Sequence, residues 1–476
     1  MEFSEPDTSR HGGIFAAGDI SSPFGEETER THKTAAGHPR ARHAAEHRPR
    51  WFIVLPLAVN LVTYAILFPG IDSPDSRSQR RQYAQWTFNK QHSILDTFFL
   101  GLLGGNRLWL CNLLQALIFS ACIITALAVL SRRIATAPLV AATLVWSFFP
   151  LFPAYAVSST KDVLCAGFTL LLCTAVFGII DSGGELLHRP WFLAGLGLLL
   201  FVTNEFRKNN FIFIGAIIVF LLIRYRREYK RVLAVLVVFA SLSGAWTAYC
   251  DLGLKAAPSP TTEMLGVPLM QVSYIYYLDQ TGHRQNLPRK ADDYFQAMRP
   301  EKQWAHNYEA ERLFVMSNKV ESLTGKDLKP FLSHWRELCF ANLGSCVTAY
   351  ALFEGSLVNP VQPADDQYSI LAAILHTDKA TASVSRWATI PRIMFNLALF
   401  DWMLAALAII AARRRRSLLP LFLIPLGIVI SLMLAALAVQ IRLMLGAIIL
   451  IPFLWGVIMC DGPRKEPDRS LPQLQE

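Results

Sequence analysis

The sequence predicts an all-α polytopic membrane protein that crosses the bilayer about ten times. Three observations carry that reading. Hydrophobic residues make up 53% of the 476-residue chain and charged residues only 17%, where a soluble domain carries about a quarter charged. The apolar residues are gathered into blocks, several of which reach the roughly 20 residues needed to cross about 30 Å of hydrocarbon. Basic residues sit at the ends of those blocks rather than among them. A backbone in lipid must satisfy its own hydrogen bonds, and the blocks lack the alternation of a barrel, so they are helices. Soluble folds are excluded.

In chain order, residues 1–50 are rich in Ser, Gly, Glu, Arg and His and carry no short apolar stretch with a cleavage site. They read as a disordered cytoplasmic tail, not a secretory signal, and end in Arg40, Arg42, Arg48 and Arg50. The predicted spans are 51–69, 108–130, 136–155, 163–180, 191–204, 211–224, 231–250, 391–411, 417–438 and 443–460. With the N-terminus inside, Arg132 and Arg133, His188 and Arg189, the run from Arg224 to Arg231, Arg413 to Arg416, and Arg464 with Lys465 all fall on one side. The opposite orientation puts the two densest basic runs outside, against the positive-inside bias. Both termini are therefore expected in the cytoplasm.

That parity organises the chain. Residues 51–250 form a membrane domain of about seven helices with a first outer loop at 70–107. Residues 251–390 form an extracytoplasmic α-rich segment, with amphipathic patterning at 308–322 and 328–353 and Pro-rich coil at 256–268. Residues 391–460 return to the membrane, and 461–476 are a second cytoplasmic tail. No inverted repeat of the transporter kind is visible. The net charge of +9 lies in topology signals rather than a binding stripe, so no nucleic-acid partner is expected.

The eight cysteines show no metal spacing. Cys111, Cys122, Cys165 and Cys173 fall in apolar spans and read as small hydrophobes. Cys339 and Cys346 lie in the outer segment, seven residues apart. In a continuous helix they would be about 10 Å apart, too far to bridge. A disulfide there needs the helix to break.

Polar residues at the outer ends of spans mark the candidate site. The spans around Asn204-Glu205-Phe206-Arg207-Lys208-Asn209-Asn210 are short, which sets this hairpin below the outer surface. A charge at that depth costs on the order of 2–3 kcal/mol unless it has a partner or a wet cavity. Lys208 either snorkels there or belongs to a basic pocket for an anionic headgroup. Arg442 opens the last span, where the helix dipole repels a cation, so it is either an interfacial anchor or sits beside an anion. Asp72 and Asp75 flank a Ser-Pro turn after the first span, and Gln79, Arg80, Arg81, Gln82 and Trp86 follow at helical spacing. His92 and an apolar stretch at 94–103 come next, a pattern that suits a helix in the interface. Either carboxylate is a general base, a ligand for a divalent cation (Mg or Mn), or a helix cap. Lys161-Asp162 opens the fourth span, as a cap with its paired cation or as part of the site. Asp75, Lys161, Asp162, Arg207, Lys208 and Arg442 all reach the outer side from different spans. A carboxylate among cations beside the bilayer suits a lipid-linked phosphate.

The order of these elements resembles a bacterial multi-pass membrane family of unknown function related to the GT-C glycosyltransferases. The resemblance rests on Pro69-Gly70 followed by Asp75-Ser76-x-x-Gln79, on Lys161-Asp162, on Arg207-x-Asn209, on Leu265-Gly266-Val267-Pro268-x-x-Gln271, on the Trp335, Tyr350 and Pro360 stretch, and on Arg442. The chain departs from the family pattern at Ser93, Met270 and Asn210. The resemblance implies a polyprenyl-phosphate sugar donor and transfer on the outer face to a glycan, lipid or protein acceptor. It implies Asp75, with Asp162, as catalytic carboxylate or metal ligand, and Gln79, His92, Lys161, Arg207, Lys208, Asn209, Gln271 and Arg442 as substrate-binding residues. A transporter or flippase of lipid-linked saccharides, and a polysaccharide ligase or polymerase, are the competing readings.

Overall fold

The computed structural model of the chain describes residues 50–259, 265–306, 323, 326–361, 396–435 and 439–460. The two tails, apart from Arg50, and the helix expected at 308–322 lie outside the described residues. So do the first residues of the span expected at 391–411 and the last of that at 417–438.

The fold is all-α, and each predicted span has a helix at its position. Five helical stretches are long and apolar enough to cross a membrane: Leu108–Ser131, Lys161–Asp181, Arg226–Gly253, Arg416–Leu434 and Ile441–Ile458. The others are shorter. The first span is helix α1 (Leu55–Ile66), and the third is α5 (Thr136–Phe148) followed by α6 (Leu151–Ala156). The fifth and sixth are α8 (Pro190–Phe206, 17 residues) and α9 (Phe211–Arg224, 14 residues). Between α1 and α4 (Leu108–Ser131) lie α2 (Pro74–Gln85) and α3 (Ile94–Phe98).

Burial sorts the long helices by role. The span of α7 (Lys161–Asp181) is 72% buried, whereas that of Arg226–Gly253, which contains α10 (Tyr229–Ala248), is 11% buried. The first sits at the centre of the bundle and the second at its periphery. Fully buried Phe119, Trp146, Phe177, Phe213 and Phe453 fill the main core. Trp146 also donates from its indole nitrogen to the Ile449 carbonyl, 3.2 Å away.

The helix ends segregate as the charge pattern predicts. Arg133 pairs with Asp181, Arg415 donates to the carbonyls of Val457 and Cys460, and Arg231 meets Glu228 and His188. These basic termini gather at the end of the bundle away from Asp75, Lys161, Arg207 and Arg442.

The segment after α10 has its own core. Helices α11 (Gly266–Gln280), α12 (Arg289–Met298), α13 (Glu301–His306), α14 (Leu328–Ala341) and α15 (Leu343–Phe353) enclose Leu269, Tyr276, Phe295, Trp304 and Phe331. Helix α16 (Gly355–Val358) then leads towards α17 (Leu397–Arg414), and α18 (Leu423–Ala435), α19 (Ile441–Ile448) and α20 (Leu450–Ile458) complete the described chain.

Three expectations are corrected here. The amphipathic stretch at 328–353 is two helices, broken at Asn342 (φ −134°, ψ 49°). The break brings the Cα atoms of Cys339 and Cys346 to 5.6 Å, and the two cysteines form a disulfide. Pro-rich coil does not extend to 268, because α11 starts at Gly266. Pro268 stands in its first turn, where its missing N–H leaves no bond unmade. The fold also carries one pair of two-residue parallel strands, β1 (Ile71–Asp72) and β2 (Ser158–Ser159), with Ile71 opposite Ser158.

That strand pair holds the loop between α1 and α4 against the start of α7. Gln115, buried inside α4, donates to the carbonyls of Tyr155, Ala156 and Ser158, and Ser76 donates to Ser159 at 2.6 Å. Gly70 makes the approach feasible. Its φ is +93°, and a Cβ there would lie 2.3 Å from the Asn112 amide nitrogen and 2.7 Å from the Val157 carbonyl. Gly70→Ala is expected to cost about 1–3 kcal/mol from backbone strain before any clash is relieved. A lower thermal unfolding midpoint in detergent checks this; an unchanged midpoint contradicts it.

Candidate functional site

Pro74 begins α2 after the Ser73 cap, whose hydroxyl accepts from the Ser76 amide at 3.1 Å. That cap sets Asp72 and Asp75 on different tasks. Asp72 is held by Arg77 (3.1 Å) and Arg80 (2.9 Å), cations of the same helix. Asp75 reaches across the molecule to Arg442, 2.6 Å away. Of the two carboxylates, Asp75 faces the predicted cations.

Arg442 stands in the first turn of α19 and also donates through Nε to Gln440 at 2.7 Å. The anion that its position calls for is Asp75. Both side chains are 23% exposed, so the pair is neither sealed nor surface-screened. His92 and Lys161 lie within electrostatic reach of the carboxylate. Burial alone would raise the Asp75 pKa, but Arg442, His92 and Lys161 together hold it below its ordinary value. Burial, with Lys161 beside it, lowers the His92 imidazole to about 4 and leaves it neutral at pH 7.

At the start of α7 the cap reading does not hold. Thr160 is the N-cap residue and makes no side-chain cap. Asp162 is buried, accepts from the Thr160 hydroxyl at 3.2 Å, and keeps its other oxygen without a hydrogen-bond partner among the described residues. Lys161 forms no ion pair with it. Asp162, Arg207 and Arg442 line one crevice with Asn210 and Thr169, of about 10 Å³, room for about one water. Arg207 donates to the Leu443 carbonyl, the residue next to Arg442.

Not every predicted residue joins this cluster. Lys208 is exposed and pairs with buried Glu205 instead of pointing into the crevice. Its neighbour Asn209 is only half-buried, and Asn210 is the asparagine that turns inward, donating to the Thr203 carbonyl at 2.8 Å. Gln79 is buried under α2 and donates to the Ser93 carbonyl and the Thr97 hydroxyl. Gln271 lies elsewhere, on α11, where it accepts from the Trp335 indole at 2.9 Å and donates to Cys346 at 3.0 Å. There, with Arg336, Phe340, Tyr350 and the disulfide, it lines a separate cavity of about 320 Å³.

One carboxylate escaped the sequence reading. Asp96 lies in the Ile94–Leu103 stretch, which is too short to cross a membrane. It is 2% exposed, and burial raises its pKa to about 7. Gln79 is its hydrogen-bonding neighbour. Asp96 Oδ2 and Gln79 Oε1 are both buried acceptors without a donor among the described residues.

For a divalent cation the fit is poor. Asp75 is already gripped by a guanidinium, and among the described residues no three His, Cys, Asp or Glu side chains come together. No family model, curated protein or solved structure matches the chain.

The Asp96 proton gives a test. Its folded pKa of about 7 lies above the ordinary carboxylate value of 3.8, so the folded state binds more protons between these values and wild type loses stability as pH rises through that window. Asp96→Asn lacks that loss. Its unfolding midpoint should rise relative to wild type as pH goes from about 4 to above 7; parallel profiles contradict the protonated carboxyl.

Proposed function

We propose that the protein is a membrane glycosyltransferase that moves a sugar from a polyprenyl-phosphate donor to an envelope glycan, lipid or protein acceptor. The single observation supporting this most is that Asp75 from the first loop and Arg442 from the last span meet beside Lys161 and Arg207. A carboxylate among cations matches what such a transfer needs. In this reading the chain spans the plasma membrane about ten times, with the short helices completing the bundle, both termini in the cytoplasm and the site on the outer side. The Cys339–Cys346 disulfide fits an outer segment, since disulfides persist in oxidising compartments.

The chemistry follows from the charges. Asp75 takes the proton of the acceptor hydroxyl as its oxygen bonds to the sugar's anomeric carbon. The bond from that carbon to the phosphate oxygen breaks, and its electron pair stays on the departing lipid phosphate. Arg442, Arg207 and Lys161 neutralise the charge that grows there. A phosphate leaves without a general acid, so one carboxylate suffices, unlike the pair that glycoside hydrolysis uses. Among the described residues Lys161 makes no hydrogen bond or ion pair, which makes it the least committed of the three cations.

The test is transfer of labelled sugar from a panel of polyprenyl-phosphate donors by purified protein. Asp75→Asn should lower transfer by about 10²–10⁴-fold with folding intact, and Arg442→Ala should weaken donor binding as well. Normal transfer by Asp75→Asn removes the carboxylate from the mechanism. No transfer by wild type, with labelled lipid crossing vesicle bilayers, favours a flippase instead.

A further inference from the structure

We propose that the Asp75–Arg442 ion pair is a latch that the lipid phosphate opens: at rest the carboxylate occupies the guanidinium that the phosphate needs, and it becomes available as a base only once displaced. The inference rests on the phosphate reading above and concerns how that site is switched on.

The resting site is closed by its own charges. The crevice between Asp162, Arg207 and Arg442 has about 10 Å³, enough for about one water and too little for a phosphate. Two of its cations are engaged: Arg442 by Asp75 at 2.6 Å and by Gln440 at 2.7 Å, and Arg207 by the Leu443 carbonyl. An arriving phosphate must compete for these groups, and the Asp75 carboxylate is a competitor of like charge on Arg442.

The pair can part without repacking the fold. Helix α2 rests on the Ile94–Leu103 segment, while α19 packs against α7 and α18. Separation therefore needs side-chain rotation, and both side chains are partly exposed. Displacement also changes the carboxylate's chemistry. A carboxylate loses basicity beside a guanidinium and gains it when the cation turns to another anion. The proton acceptor is thus armed by the donor whose sugar it helps to transfer, which keeps an empty site from being a standing base.

The experiment measures binding of farnesyl phosphate to the full-length protein in detergent. Removing the competitor should tighten binding: Asp75→Asn and Asp75→Ser should each bind about tenfold tighter than wild type, the factor regained if the closed pair is nine-tenths populated. Arg442→Ala should lose binding. Equal or weaker binding by folded Asp75 variants, with wild type binding and Arg442→Ala not, overturns the latch and leaves the phosphate reading standing. No saturable binding by wild type or either Asp75 variant overturns both. A measurement on wild type alone needs no variant to fold. Carbodiimide labelling of Asp75, read by peptide mass spectrometry, should rise on adding farnesyl phosphate, and unchanged labelling at saturation overturns the latch.

Discussion

Charge pairing at the membrane edge is the constraint on which this architecture depends. An arginine at the start of an apolar helix faces an unfavourable dipole and a poor solvent, and it is stable there only beside an anion. Arg442 finds that anion in Asp75, 367 residues away in sequence. The contact joins the loop after α1 to the last apolar helical stretch, and the intervening helices are arranged so that the two ends meet. Gly70, the short strand pair and the buried Gln115 amide all act on the same segment, holding the loop down on the start of α7.

Around that pair the protein mixes protonation states rather than simply accumulating charge. Burial raises the Asp96 carboxyl to about 7 and lowers the His92 imidazole to about 4, while Asp162 shares the crevice with Arg207 and Arg442. The cavity beside the disulfide is a different kind of place. Its walls are mostly apolar, its polar floor is the already-satisfied Gln271, and Tyr350 on its edge donates to the Met433 carbonyl of α18.

Much of this was legible in the sequence because membrane constraints leave strong signals. Apolar blocks locate the helices, and the parity of the basic runs groups Asp75, Lys161, Asp162, Arg207, Lys208 and Arg442 at one end, of which Lys208 pairs with Glu205 instead of joining the crevice. The need of Arg442 for an anion could be argued from its position, though not which anion. What stayed hidden depends on local geometry. Asp96 is a single carboxylate inside an apolar stretch, and nothing in spacing distinguishes a buried acid from a surface one. Asn209 and Asn210 are adjacent, so only the turn after α8 decides which points inward. The disulfide was obscured because both flanks of Asn342 carry helical patterning, and a two-residue strand is too short to show alternation. Gln271 lay within a stretch of resemblance, yet its partners come from α14 and α15, which no linear motif could place.

The most direct measurement of the central claim is a charge-exchange cycle on the pair in purified protein, read as thermal unfolding midpoint. Asp75→Arg and Arg442→Asp should each destabilise, since each sets like charges together. The double exchange should recover much of the loss, with a coupling on the order of 1–2 kcal/mol for a partly exposed pair. Strictly additive losses would mean that Asp75 and Arg442 do not meet, and the account of the site would fail with them.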